Sequence, residues 1–386
     1  MRVSKPICFV ASARDYHAID WYRSVKNLCH GRRVFIATDL IESEGVEKLV
    51  DERDEVHRLF DLDRWLPDRQ SKFGNIWRNI IKALTVPLVA YRLNALSKRV
   101  DAIFHAHSMY YIFLCWLARV EFIATPMGSN VLVRPDNSLI YKLFTIYSLR
   151  AAAAITVDST ALQEKIRSLC GRESHIIQNG IDSNGTQAYR ESAQKRFRVI
   201  SIRGMDPNYR ILELIQARNS TDRSIGFDFI YPFHEENYLN SVKRLMNAED
   251  RDHGRVSKDV MYQMLGEAFA VFSIPISDSS PRSVYETIFC GACVMVSYGK
   301  WVELLPVCMR ARVIVVDISM QHWFDDALRA ARQICFTPFI PSREALELFD
   351  ENEAMKMVCR KFYGEVFDDQ KVSCDRRLWL HWQSPC

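Results

Sequence analysis

ISDSSPRSVYETIFCGACVMVS (276–297) holds two carboxylates, Asp278 and Glu286, on either side of a Ser-Pro turn. The apolar run AVFSIPIS (270–277) reads as a buried strand, SVYETIFC as a helix stopped by Gly291, and ACVMVS as the next strand. Strand, loop, helix, strand is the repeating unit of a parallel α/β sheet. Ser280 is expected as an N-cap with Pro281 at the first helical position, and Ser283 with Glu286 fits the S-x-x-E capping box. Such a helix start offers free N–H groups and a positive dipole end to a diphosphate, with Arg282 close enough to add a charge-assisted bond. Two readings stay open on these residues alone. Either the carboxylates cap a helix and a loop, or they grip one ligand, Glu286 through vicinal hydroxyls of a ribose and Asp278 through whatever projects beyond the diphosphate.

The same alternation runs outward in both directions. Upstream lie ICFVAS (7–12), RVFIAT (33–38), DAIFHAH (101–107), FIATPMG (122–128), AAITVDS (153–159) and SHIIQNG (174–180), each followed by helical-period sequence. A polar stretch, SNGTQAYRESAQKR (183–196), reads as a linker with turn chemistry. The pattern restarts with RVISIRG (198–204) and continues through FDFIYPF (227–233) to VIVVDI (313–318). The expected organisation is an N-terminal Rossmann-like domain (1–182), a linker (183–197), a second Rossmann-like domain (198–342) and C-terminal helices (343–386) that pack back on the body. Ligands of such sheets bind beyond the carboxyl ends of the strands.

At 386 residues, with 48% hydrophobic and 25% charged residues, the chain has an ordinary globular profile that excludes disordered and low-complexity architectures. The net charge of +4 neither demands nor excludes an anionic partner. The N-terminus lacks the long apolar core of a secretory signal, and no stretch holds the ~18–20 uninterrupted apolar residues of a membrane span. Eleven scattered cysteines suit buried thiols in a reducing compartment, so a cytoplasmic location is expected. Cys290 and Cys293 in CGAC have metal or redox spacing but no second pair, and no metal is expected there.

The carboxylate stretch resembles the E-x7-E region of retaining GT-B glycosyltransferases, family 4 in particular, with Asp278 for the first glutamate. Six other pieces are similar in the family's order: HAHS (105–108), PMGSN (126–130), AAAAITVDSTALQEKI (151–166), QNGID (178–182), RVISIRGMDP (198–207) and VSKDVMYQMLGEAFAVFSIP (256–275). The resemblance implies two facing domains, with a nucleoside diphosphate sugar held mainly by the second and a saccharide or lipid-linked acceptor by the first. It implies no cofactor. Glu286 would bind the ribose and Asp278 the donor sugar, while Arg203 neutralises the diphosphate beside Ser280, Pro281, Arg282 and Ser283. Arg210 is the second cation on offer. His107 would act from the N-terminal side, with Ser12, His105, Gly128, Ser129 and Asn130 around the same cleft.

The chain departs from the family pattern at Met127, where a histidine is expected, and at Asn130, where an aspartate is expected. A methionine cannot hydrogen-bond a donor sugar. The function implied is retaining transfer in bacterial surface polysaccharide or lipopolysaccharide assembly. A nucleotide-sugar 2-epimerase of the same fold and a catalytically silent nucleotide-binding or partner subunit are the alternatives.

His105 and His107 share one strand face and read as cleft or core histidines rather than a zinc pair, having no further ligands nearby. Ser12, Arg14 and Asp15 in ASARDY offer acceptor contacts or a simple polar turn. Between Arg64 and Arg99 stand eight basic residues against Asp68, interleaved with Trp65, Phe73 and Trp77. Such a segment suits anionic lipid at the inner face of a membrane, or a solvated helix face. No recognition module accompanies it, so nucleic acid is not an expected partner.

Overall fold

The computed structural model describes residues 4–40, 53–62, 65, 72–192, 194–221, 224–278 and 280–365, without the side chains of Tyr16, Ser129 and several residues between 72 and 79. The N-terminal sheet runs β1 (Ile7–Val10), β2 (Val34–Thr38), β3 (Val56–Arg58), β4 (Ile103–His107), β5 (Phe122–Thr125), β6 (Ala154–Val157) and β7 (His175–Ile176), in spatial order 3-2-1-4-5-6-7. The second sheet runs β8 (Arg196–Ser201), β9 (Phe227–Ile230), β10 (Arg251–Gly254), β11 (Ala268–Ser273), β12 (Val294–Ser297) and β13 (Val313–Val316), in order 10-9-8-11-12-13. Every pairing in both is parallel. Central strands such as ICFV and AFAVFS are buried throughout, because helices cover both faces of each sheet.

Over one face of the first sheet lie α2 (Lys72–Arg99), α3 (Ser108–Leu117), the short α4 (Gly128–Leu132) and α5 (Arg134–Asn137), α6 (Leu139–Ala151) and α7 (Thr160–Cys170). Val89, Leu93, Ile112, Leu149 and Ile166 carry them into one core. The other face is covered by α1 (Tyr16–Leu28) and by residues 354–363. The second domain carries α8 (Ser183–Ser192), α9 (Ile211–Thr221), α10 (Glu236–Leu245), α11 (Lys258–Glu267), α12 (Arg282–Phe289), α13 (Val307–Arg310) and α14 (Trp323–Ile334). Then α15 (Arg343–Phe349) and α16 (Glu351–Val358) lead back: Ala354, Met355, Val358 and Tyr363 pack with Trp21, Tyr22 and Val25 of α1. The segment RRLWLHWQ (376–383), expected as a further helix, lies outside the described residues.

Two expectations need correction. Residues 183–192, read as a turn-like linker, form helix α8, whose start is held by Asp182 Oδ1 accepting the Gly185 N–H at 2.8 Å. Its small buried residues Ser183 and Thr186 give little hydrophobic signal, and packing against α11 and α12 supplies the missing incentive. Strands β3 and β10 were not foreseen. Both are edge strands, VHR and RDHG, half exposed and charged, and only the neighbouring strand makes them extended. The nine described cysteines are free, and all but Cys308 are buried.

Candidate functional site

A hollow lies at the carboxyl end of each sheet. The one on the N-terminal side, of about 380 Å³, is lined by His17, His107, Met127 and Asp158 among others. The one on the C-terminal side, of about 280 Å³, is lined by Asp278, Pro281, Tyr298 and Trp301 among others. Asp158 and Asp278 lie near enough to feel each other's charge, and both act on Tyr285. The domains touch beside the hollows, where the Ser280 hydroxyl donates to Gln178 Oε1 at 2.9 Å.

Arg203 follows β8 and is the organising cation of the C-terminal side. Its guanidinium donates to Ser283 Oγ at 2.8 Å and to Asp278 Oδ2, and its carbon centre lies 4.7 Å from the centre of the Tyr209 ring. Its Nε is buried with no partner. Asp278 also takes the Ser280 N–H through Oδ1, at 3.3 Å. The sequence places these groups together because β8 and β11 are neighbours, so the loops after both strands emerge side by side. Arg210 is half-buried, in a left-handed turn at φ 54°.

The helix start differs from the expected cap. α12 begins at Arg282, Pro281 is its N-cap residue, and no side chain caps it. The N–H of Arg282 turns to the Ser280 carbonyl, and those of Val284 and Tyr285 to Pro281, so fewer donors face an anion than a capped helix would leave. The Ser283–Glu286 capping box does not form: Ser283 Oγ serves Arg203, and Glu286 accepts the Tyr262 hydroxyl at 3.0 Å. Glu286 is only 8% exposed, and burial raises its pKa against the pull of Arg282. Arg282 itself turns away from the expected diphosphate position. Its Nη1 donates to Asp20 of α1 at 3.1 Å, and Glu286 and Glu351 stand 3.5 and 3.7 Å away. Three carboxylates from three elements outcompete solvent for one guanidinium.

On the N-terminal side His107 ends β4 and is 2% exposed. Ser108, at φ 66°, makes the sharp strand-to-helix turn that follows it. His107 Nε2 is buried without a partner, and burial keeps the ring neutral by driving its pKa well below the usual histidine value. His105 is a core residue instead of a cleft residue. Its two ring nitrogens meet the Tyr363 hydroxyl at 2.5 Å and Thr125 Oγ1 at 2.6 Å, so the returning chain end occupies it. Ser12 Oγ accepts the Arg14 N–H at 3.2 Å, and Asp15 caps α1 through the N–H groups of His17 and Ala18. The polar-turn reading of ASARDY accounts for these bonds. Gly128 and Asn130 belong to α4, with the Asn130 N–H on the Met127 carbonyl, while the Ser129 side chain lies outside the description.

Two residues were missed. Asp158 follows β6 and has a buried Oδ1 with no partner; burial raises its pKa. His17 opens α1 and has a buried Nδ1 with no partner. Both stand just beyond the carboxyl end of a strand or at the helix start that follows one, and that position was their signal in the sequence. Around Met127 the hollow therefore holds one carboxyl and two imidazoles.

The two-domain arrangement decides the fold. The chain has the GT-B fold. Among solved structures it is similar to HepE from Anabaena in complex with UDP and glucose, at a TM-score of 0.69 and 13% identity, covering 94% of this chain and 100% of that one. Sucrose-phosphate synthase from Thermosynechococcus elongatus gives a TM-score of 0.67 at 12% identity, over 92% and 98% of the two chains. A candidate UDP-N-acetylglucosamine 2-epimerase from Listeria monocytogenes gives 0.57 at 10% identity, over 95% and 98%. Neither a protein-family model nor a curated protein matches the sequence.

Proposed function

We propose that this GT-B chain is a glycosyltransferase, retaining and metal-independent in the manner of family 4. In this reading it moves a sugar from a nucleoside diphosphate sugar to a saccharide or lipid-linked saccharide acceptor, at the cytoplasmic face of the membrane. Bacterial surface polysaccharide or lipopolysaccharide assembly is the setting. The observation that carries the reading is Arg203, bonded to Asp278 and Ser283 at the mouth of the second sheet, where Asp278 lines the C-terminal hollow and feels the charge of Asp158 in the other. The UDP and glucose held by the similar Anabaena protein support the donor class.

The chemistry demands that the bond from the anomeric carbon to the diphosphate oxygen break while one forms to the acceptor oxygen. Negative charge grows on the leaving diphosphate, and a fixed guanidinium there supplies the largest stabilisation. The acceptor proton passes to the departing phosphate oxygen on the same face, so no enzyme base opposite the leaving group is needed. Asp278, Asp158 and the neutral His107 then orient the sugar hydroxyls, with Asp158 and His17 taking over the polar contacts that Met127 cannot make.

A second reading, sugar 2-epimerisation, is favoured by the carboxyl and two imidazoles of the N-terminal hollow and by the fold shared with the Listeria protein. Incubation with UDP- and GDP-sugars plus acceptor oligosaccharides separates the two. Transfer releases free nucleoside diphosphate and yields a product of the donor's anomeric configuration, undiminished by EDTA. An epimer without free nucleotide contradicts transfer. Nucleotide binding without any turnover points to the silent subunit. A thermal-shift screen identifies the donor, since a ligand at 100 times its Kd stabilises by ~2.7 kcal/mol.

A further inference from the structure

The outer side of the N-terminal helix layer exposes apolar residues on helices whose sequences carry charge of one sign only. α2 exposes Trp77, Ile80, Leu84, Leu88 and Tyr91, three or four residues apart and therefore on one side of the helix. Leu84 and Tyr91 are 75% and 72% exposed. α6 does the same with Leu139, Ile140, Leu143, Phe144 and Tyr147. Between them α3 packs on both, meeting α6 through Phe113 against Phe144, at 4.7 Å between ring centres, and Trp116 stacked on Tyr147. The inner sides of all three helices enter one core over one face of the sheet, so their outer sides look the same way.

The sequences of these three helices contain Lys72, Arg78, Lys82, Arg92, Lys98, Arg99, Lys142 and Arg150, and neither Asp nor Glu. The nearest acid in the adjoining α5, Asp136, is paired with Lys165 at 2.7 Å. A broad apolar face on helices that also expose Arg92, Lys98, Arg99 and Arg150 matches acyl chains beneath anionic headgroups, while Lys82 turns to the Tyr110 ring. By length and composition, Ile80–Arg99 is apolar enough to cross a bilayer. Val89, Ala90 and Leu93, however, are core residues of the sheet domain, so α2 lies along the surface with its outer stripe free.

We propose that this face docks on a membrane leaflet rich in anionic phospholipid, with α2 and α6 side by side in the interface. The sequence expectation concerned 64–99 only; α6 joins it through the fold. None of these stripe residues lines either hollow, so the inference stands apart from the transfer reading.

Co-sedimentation with phosphatidylcholine vesicles, with and without phosphatidylglycerol, tests it. The full chain sediments with the anionic vesicles and at least ~10-fold more weakly with the neutral ones, since each basic residue near such a surface contributes about fivefold. High salt weakens the binding. Leu84→Glu with Tyr91→Glu, or Leu139→Glu with Ile140→Glu, lowers it by a further ~10-fold or more. Circular dichroism and the urea midpoint of these exposed-site variants stay as in the wild type. Equal binding to both vesicle types, or variants that bind like the parent, overturns the proposal. So does a wild-type dimer in light scattering that these substitutions convert to a monomer, which assigns the face to a second copy.

Discussion

Asp278 and Arg203 neutralise each other at the centre of the proposed donor site. A diphosphate must draw the guanidinium away from that carboxylate, so the pair sets the balance between nucleotide affinity and sugar positioning. Asp278→Asn is expected to leave UDP or GDP affinity unchanged or raise it by up to ~10-fold, about 1.4 kcal/mol, while transfer falls sharply. Calorimetry beside a turnover assay checks this, and equal loss of both moves Asp278 onto the nucleotide. The two strand histidines make a separate prediction. Burial holds His105 at a pKa of about 3 and His107 well below 6.5. The folded chain thus refuses protons that the unfolded chain accepts, so stability present above pH 6.5 is lost as pH falls from there toward 3. His105→Gln removes about one proton from that slope, roughly 1.4 kcal/mol per pH unit, in urea unfolding followed across this window.

At the scale of elements, the crossing of the chain end over the first domain depends on Gly180. A Cβ there would lie 2.3 Å from Glu351 Cα and 2.6 Å from its backbone nitrogen, where the Ile181 N–H bonds Phe349 O and the Glu351 N–H bonds Ile181 O. Backbone cannot retreat as a side-chain tip can. Gly180→Ala is expected to cost ~2–3 kcal/mol in urea unfolding and to loosen α16 from α1, read as faster amide exchange in α16. Most central strands were legible as β-branched runs within a residue or two. The edge strands β3 and β10 and helix α8 were not, because their residues carry charge or small size, and the neighbouring element supplies their conformation.

At the scale of the molecule, Arg282 joins the two halves. It belongs to α12 of the second domain, yet its partners include Asp20 in α1 and Glu351 in the returning helix. Arg282→Ala strands Glu286, which is buried beside it, and removes the link to Asp20. The guanidinium side chain is 22% exposed, so the expected cost is ~2–3 kcal/mol, below that of breaking a fully buried pair. Equilibrium unfolding measures it, and a larger radius of gyration in solution scattering would register the opened cleft. Unchanged stability and radius would reduce Arg282 to a surface residue.

By itself the sequence determined the alternation of buried strands and helices, the restart near residue 198, and hence two parallel sheets. Those follow from local apolar patterning, which each segment carries whatever surrounds it. It also marked Asp278 and Arg203, because each stands just past a strand run. Only the tertiary structure decided which groups face the hollows. Asp158 and His17 entered; His105 was claimed by Tyr363 and Arg282 by three carboxylates. A side chain's partners are settled by elements distant in sequence, and no local pattern records them. In ISDSSPRSVYETIFCGACVMVS the two carboxylates accordingly part company, Asp278 at the mouth of the hollow with Arg203, and Glu286 buried behind it with Tyr262 and Arg282.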